Sequence, residues 1–547
     1  MQRRFSTGVL VSARGFARWG RCVAGFVLLN LSLTFASIWP TLGVRPSGEL
    51  SAELALCVIA LIVVRRRWDG PSRTALRWLA GGWLLLVVGR YVEVTVTSLY
   101  GRDVNVYWDL QHIPAVGSMF AAVADTWLVA TAIVALLVGV VTSYLITRWA
   151  LGVVADATKV RGARWVLGSV AGAVLALSVA QPLGVSVPGA ARVASPVVAV
   201  YARELGELIY EMSGTGVRDL GAPPVLSSDL SRVRGADVFV FFLESYGAVS
   251  WDRPELAAPL AASRAEFEAD VRGTGRGVAS AFVESTTFGG ESWLAHISLL
   301  TGTEVRDPAT SVRLMAQERD TMVKLFGRQG YRTVAIMPGM LVPWPEGAFY
   351  GFEEIYDHDR LDYRGPPFGW WSVNDQYALA RVDEVEIAPR RDRSAFVVFA
   401  TITTHAPFVP TPPFQADWAR MLSDYPYEDE SLDEAWSAWP DWMNLGPSYV
   451  ESLRYAFANV GGYLRLRADR DLVIVLVGDH QPPALVSGEG ASWEVPVHVI
   501  TSRVEVLDRL TRVHGFVEDL EPQHPKVARM DTLLAVLLDA FGDGGGL

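Results

Sequence analysis

"DLVIVLVGDH", residues 471–480, places an unbroken apolar run and a glycine directly before an Asp-His pair. A run this short and this rich in β-branched residues reads as a strand buried on both faces, as in parallel sheets. "DVFVFFLES" (237–245), "YRTVAIMPG" (331–339), "SAFVVFATIT" (394–403) and "VPVHVIT" (495–501) have the same character. Helical stretches such as 311–330 and 447–467 lie between them. Apolar strands alternating with helices predict an α/β domain whose mostly parallel sheet is covered by helices. In such sheets the chemistry gathers at the carboxyl ends of the strands.

Those ends carry a consistent set. The first strand runs into Glu244, the third into "TTHAPF" with His405, and the fourth into Asp479 and His480. "TFGGESWLAHISLLTG" (287–302) adds Ser292 at the start of an apolar helix, after Gly289 and Gly290. A serine in this place is an ordinary helix N-cap. The same place also concentrates free N–H groups and positive dipole, so a nucleophile there faces an anion site. Taken singly, a carboxylate at a strand end is a turn residue. Together, Glu, Asp, His and Ser form an oxygen-and-nitrogen ligand set suited to one divalent metal ion, manganese or zinc.

The rest of the chain is different. Half of the 547 residues are hydrophobic, and the long apolar runs lie before about residue 187. Segments near 22–43, 78–98, 119–147 and 165–187 approach the roughly 20 apolar residues that a bilayer core requires. A fifth, near 47–64, is interrupted by Glu53. With five helices, one set of loops holds fourteen Lys and Arg and the opposite set only Arg45 and Arg102. The positive-inside rule then places the N-terminus in the cytoplasm and everything after residue 187 outside, as in a multi-pass protein of the cell (inner) membrane with an extracytoplasmic or periplasmic domain. The expected organisation is a transmembrane domain at 1–187, a connector at 188–235 and a catalytic domain at 236–547.

Residues 191–547 hold 31 basic and 51 acidic residues, which argues against nucleic acid as a partner. Both cysteines, Cys22 and Cys57, lie in the apolar part, so no disulfide is expected in the outer domain. "SPVVAVYARELGELIYEM" (195–212) has amphipathic spacing, suiting a helix on the membrane surface or a plain linker helix. "DYPYEDESLDEAWSAWPDWMN" (424–444) reads as an acidic, Trp-bearing insertion, either a lid or acceptor-glycan platform or an exposed loop. Arg90, Glu93 and Asp125 are charges near the outer ends of apolar segments, suited to a lipid headgroup or to snorkelling.

In order and rough spacing, "FFLESYG", "FGGESWLAHISLLTG", "TITTHAPF" and "VGDHQPP" resemble the alkaline phosphatase/sulfatase superfamily. The likeness is strongest to its membrane-anchored branch, lipoteichoic acid synthase and the phosphoglycerol and phosphoethanolamine transferases. The resemblance implies a metal held by Glu244, Ser292, Asp479 and His480, with Ser292 as nucleophile and His405 at the leaving or attacking oxygen. It implies that Gly290 lets the backbone approach the phosphate and that Trp344 lines the headgroup pocket. It further implies transfer of a phospholipid-derived phosphoryl headgroup onto an envelope glycan or lipid, or hydrolysis of phosphate esters at the same site. Departures stand beside it. Pro345-Glu346 occupies the place of an arginine in the synthases, and His296 the place of a carboxylate. "SWLAH" lacks the Pro and Arg that formylglycine sulfatases need after their Cys or Ser, which makes sulfate esters the lesser expectation.

Overall fold

The computed structural model describes residues 19–38, 43–100, 104–107, 109–110, 113, 117, 126–183, 192–213, 220, 222–341, 344, 346–389, 392–488 and 490–543. The chain divides into two compact units, one of residues 1–98 and 103–215 and one of 99–102 and 216–547.

Among the described residues of the first unit three helices are long and apolar enough to cross a membrane: Arg73–Ser98, Trp127–Ala157 and Arg161–Ala180. The segment expected to span at 22–43 does not form one helix. Its helix ends at Leu31, and the chain turns into a hairpin of β1 (Phe35–Ser37) and β2 (Val44–Pro46). The cause is local. Thr34 Oγ1 donates to Asn30 O at 2.9 Å, and Asn30 Nδ2 donates to Glu49 O at 2.8 Å. These side chains compete with the helix for backbone partners, which a count of apolar residues misses. The interrupted segment near 47–64 forms the helix Ala52–Trp68, capped by Ser51, and is below span length. Glu53 is no interruption, because its Oε1 accepts the N–H groups of Val197 and Val198 at the start of the helix Val197–Ser213. Asp125 lies outside the described residues, while Arg90 and Glu93 pair at 3.0 Å.

The second unit is built on an eight-stranded sheet: β3 (Asp237–Leu243), β4 (Gly277–Glu284), β5 (Arg332–Met337), β6 (Glu354–Asp357), β7 (Ala395–Ala400), β8 (Leu472–Gly478), β9 (Glu494–Thr501) and β10 (Ala528–Arg529). Their order is β10-β4-β9-β8-β3-β7-β5-β6. All pairings are parallel except the two made by β9, which runs against β4 and β8. Strands β3 and β8 are buried along their whole length because alternate side chains enter two different cores. Phe239, Phe241 and Leu243 meet Leu260, Phe267, Tyr449 and Leu453 from the helices Pro254–Gly273 and Gly446–Leu466. Val238, Val240 and Phe242 meet Leu294, Ile297, Leu534 and Leu537 from Ser292–Thr301 and Met530–Phe541. The outcome is a helix–sheet–helix sandwich in which β7, β3 and β8 end side by side.

Candidate active site

Strand register builds the centre. Leu243 of β3 lies opposite Gly478 of β8, so Glu244 and Asp479 leave the sheet together. On the other side Phe242 lies opposite Ala400, which sends the chain from β7 through Thr401 to His405. Gly478 is required where it stands, since a Cβ there would lie 1.9 Å from Tyr246 O. Glu244, Asp479 and His480 are all buried, and their ligand atoms lie within 4.8 Å of one another.

Ser292 closes the group. Its Oγ donates to Glu244 Oε2 at 2.7 Å and lies 3.1 Å from His480 Nε2. The expectation of a serine N-cap is corrected here. Glu291 is the cap residue of Ser292–Thr301, in the left-handed conformation with φ 59°, and Ser292 is the first helical residue. Its hydroxyl points into the site, away from the first-turn N–H groups. A non-glycine left-handed residue is strained backbone, and Ser245, immediately after Glu244, is a second at φ 56°. Strain on both sides of one cluster marks positions held for use.

Each ligand atom is oriented from behind. His480 Nδ1 lies 2.7 Å from Gln481 O, which fixes the proton there and turns Nε2 toward Glu244 Oε1 at 3.3 Å. Asp479 Oδ1 accepts the Ser245 and His480 N–H groups at 2.8 and 2.7 Å. Glu244 Oε1 accepts Ser245 Oγ at 3.1 Å, and the Glu244 N–H donates to Thr401 Oγ1 at 3.0 Å.

The buried carboxylates draw positive charge to the centre. Burial alone would raise the Glu244 carboxyl, but His480 and then His405 outweigh it and hold it well below the usual carboxylate range. Asp479 is raised, first by burial and then by the charge of Glu244. Burial would lower His480, yet the Asp479 and Glu244 charges push it up to about 9. A protonated imidazole thus stands in for positive charge between two carboxylates. Asp479 Oδ2 is buried without a hydrogen-bond partner. His296 Nε2, also unpartnered, is 3.8 Å from it, beyond hydrogen-bond reach. Orphaned oxygen beside a convergent Glu, His and Ser set fits a divalent metal ion.

His405 is half-buried, with Nδ1 2.7 Å from Ala406 O and its ring edge-on to Trp370 at 5.2 Å. Asp375 holds the segment leading to it, accepting the N–H groups of Ile402 and Thr403 at 2.8 and 2.9 Å. Burial pushes Asp375 up to about 6. Gly289, at φ 71°, donates to Gln481 O at 3.1 Å, and the space a Cβ on Gly290 would enter is open. Among the described residues Trp344 makes ring contacts with Tyr350 and Phe352, and none with the residues around Ser292. In the 424–444 segment the helix Asp429–Ser437 buries no residue, and Trp436, Trp439 and Trp442 are exposed.

Residues 295–499 match the family model Sulfatase. Over this stretch of the second unit the chain is similar to the Sulfatase family. The matched segment takes in His405, Asp479 and His480. No curated protein sequence matches the chain. Among solved structures, the integral membrane lipooligosaccharide phosphoethanolamine transferase A of Neisseria meningitidis aligns with 90% of this chain and 87% of its own, at 14% identity and TM-score 0.42. An alkaline phosphatase superfamily protein of Vibrio parahaemolyticus aligns over 61% and 74%, at 18% identity and TM-score 0.39. A lipoteichoic acid synthase of Listeria monocytogenes aligns over 60% and 81%, at 13% identity and TM-score 0.34. Likeness at this level bears on neither substrate nor reaction.

Proposed function

We propose that this protein is a metal-dependent phosphotransferase. It moves a phospholipid-derived phosphoryl headgroup, of phosphoglycerol or phosphoethanolamine type, onto a cell-envelope glycan or lipid through a covalent intermediate on Ser292. The observation that carries this reading is the Ser292 hydroxyl, aimed at Glu244 and His480 from the first residue of a ten-residue helix.

Glu244, Asp479, His480 and Ser292 would hold one divalent ion, zinc or manganese, whose Lewis acidity lowers the pKa of a hydroxyl and offsets phosphoryl charge. The chain's own residues do the rest. The Ser292 hydroxyl is held by its 2.7 Å hydrogen bond to Glu244 Oε2, and its proton leaves to water. Oγ attacks phosphorus, the Oγ–P bond forms, and the bond from phosphorus to the diacylglycerol oxygen breaks. Protonated His405 supplies the proton that the leaving oxygen needs. An acceptor hydroxyl then gives its proton to His405 and attacks phosphorus, the P–Oγ bond breaks, and Ser292 Oγ takes back a proton from water. Free N–H groups at the start of the helix and the open space before Gly290 serve the phosphoryl oxygens. Trp344 would line the headgroup pocket.

Membrane placement belongs to the same reading: N-terminus cytoplasmic, helical unit in the cell membrane, and residues 236–547 outside as the catalytic domain after a connector at 188–235. With water as the second acceptor the same residues make a phosphoesterase. That alternative is favoured by Glu346, an acidic residue where a phosphate-binding arginine would be expected. Incubation of the full-length protein with headgroup-labelled phosphatidylglycerol or phosphatidylethanolamine, with and without envelope extract and chelator, separates the two. Label entering a glycan or lipid fraction supports transfer. Label released only as free headgroup supports hydrolysis, and no metal-dependent release contradicts both.

A further inference from the structure

The hairpin that replaces the expected first span encloses something. Between it, the helix ending at Leu31, Arg73–Tyr100 and Thr126–Ala157 lies a cavity of about 410 Å³, within the range of about 300–1,000 Å³ typical of small-ligand sites. Leu29, Phe35, Val87 and Ile146 give it apolar walls, and Arg45 stands among the lining residues as their one charge. No lining residue is acidic, and among the described residues no carboxylate forms an ion pair with Arg45.

The walls are fixed without an occupant. Arg90 Nε and Nη2 donate to Phe35 O at 3.2 and 3.1 Å, and Arg90 Nη1 pairs with Glu93 at 3.0 Å. Trp83 Nε1 donates to Ser32 Oγ at 2.9 Å, and Ser47 Oγ to Thr34 O at 2.7 Å. Backbone groups at membrane depth need such internal partners. The paired charges of Arg90 and Glu93 are therefore absorbed in holding the hairpin, and Arg45 alone is left to meet a ligand. The mouth opens sideways, since Leu28, Val44 and Ile146 are 40%, 41% and 45% exposed. Ile146 belongs to a helix that also carries the exposed apolar residues Leu136, Leu137, Val138, Val141 and Leu145.

We infer that this cavity is a binding site for an anionic phospholipid, with one acyl chain between the helices and the phosphodiester on Arg45. An apolar slot open to an apolar helix surface admits a chain directly from the bilayer. An unpaired guanidinium at its rim selects the lipid that brings negative charge, because guanidinium binds phosphate oxygens through paired N–H donors. The inference stands apart from the phosphotransfer reading, and its test reads no turnover.

The full-length protein is placed in phosphatidylcholine nanodiscs containing a small fraction of phosphatidylglycerol, or of phosphatidylcholine, bearing a diazirine at the end of one acyl chain. After irradiation, adducts are mapped by peptide mass spectrometry. The phosphatidylglycerol probe should label segments 28–35 and 143–150 about fivefold more than the phosphatidylcholine probe does. Arg45→Gln, at an exposed position of β2, should bring the two probes level. Ser143→Trp, which fills the cavity, should remove labelling of both segments. Equal labelling by both probes in the unaltered protein overturns the inference, as do adducts confined to the outward face around Leu136, Leu137 and Val141.

Discussion

Raising the pH from 7 to 9 should tighten zinc binding by the apoprotein about 50-fold. The figure follows from His480. Its Nδ1 proton is committed to Gln481 O at 2.7 Å, so the ionising proton sits on Nε2, the atom a cation must take. Burial works against that proton, but the Asp479 and Glu244 carboxylates, 3.8 and 3.3 Å from Nε2, outweigh it and push the group up to about 9. Two pH units below that value, one bound proton must be displaced per metal ion, at about tenfold per unit. The same proton affects stability in the opposite direction. The folded value lies above the roughly 6.5 of a free histidine, so the stabilisation from charged His480 is fully present below about 6.5 and is lost as pH rises through about 9. The melting temperature of the apoprotein should therefore fall across that window, with the metal-loaded protein spared. Competition against a chromophoric chelator gives the affinity, and calorimetry in two buffers of different ionisation enthalpy counts the proton. One proton released at pH 7 and almost none above about pH 10 is the expected pattern. An affinity flat between pH 7 and 9, with no proton released, would refute the reasoning.

Other consequences are as specific. His405→Gln should lower turnover by about 10²–10⁴ while leaving zinc affinity within twofold, because its Nδ1 holds Ala406 O and the ligand set excludes it; a matching loss of metal affinity would contradict its assigned role. Gly478→Ala would set a methyl group 1.9 Å from Tyr246 O, so the variant should fail to give a folded catalytic domain by near-ultraviolet circular dichroism, and a well-folded variant would mean that β8 ends differently. A periplasmic-type reporter fused after residue 190 should be active only outside the cytoplasm; activity inside would reverse the topology drawn from the basic residues.

What could be read from the sequence was whatever a short-range pattern fixes. The run 472–478 is apolar on both faces and ends in a glycine that geometry demands, so Asp479 and His480 were visible as a strand end. Glu244 was visible for the same reason, and parallel pairing of β3 with β8 did the rest. Strand β4, "GVASAFVE", was missed because its small residues lack the bulk of a buried strand, although it leads directly to Ser285 and the glycines before Ser292. The capping role considered for Ser292 failed on a backbone angle, since Glu291 takes the cap position in a conformation that side-chain type does not announce. In the helical unit, hydropathy scored residues 22–43 as one span because apolar counts do not register the bonds made by Asn30 and Thr34. Asp375 acts on Ile402 and Thr403 across a long sequence separation, and nothing local distinguished it from an ordinary polar residue.

The central claim is that Ser292 carries the phosphoryl group between donor and acceptor. It is tested most directly by acid-quenching the metal-loaded protein after seconds of exposure to headgroup-labelled phosphatidylglycerol or phosphatidylethanolamine, without acceptor, and mapping the adduct by peptide mass spectrometry. The account predicts one phosphoglycerol or phosphoethanolamine group on the peptide containing Ser292. In Ser292→Ala it should be absent, with turnover lowered at least about a thousandfold, while the variant stays folded with a melting temperature within a few degrees of the original, since only the hydrogen bonds of Ser292 Oγ to Glu244 and His480 are lost. Label found instead on Ser285, Thr286 or Thr287, or steady turnover by Ser292→Ala, would contradict it.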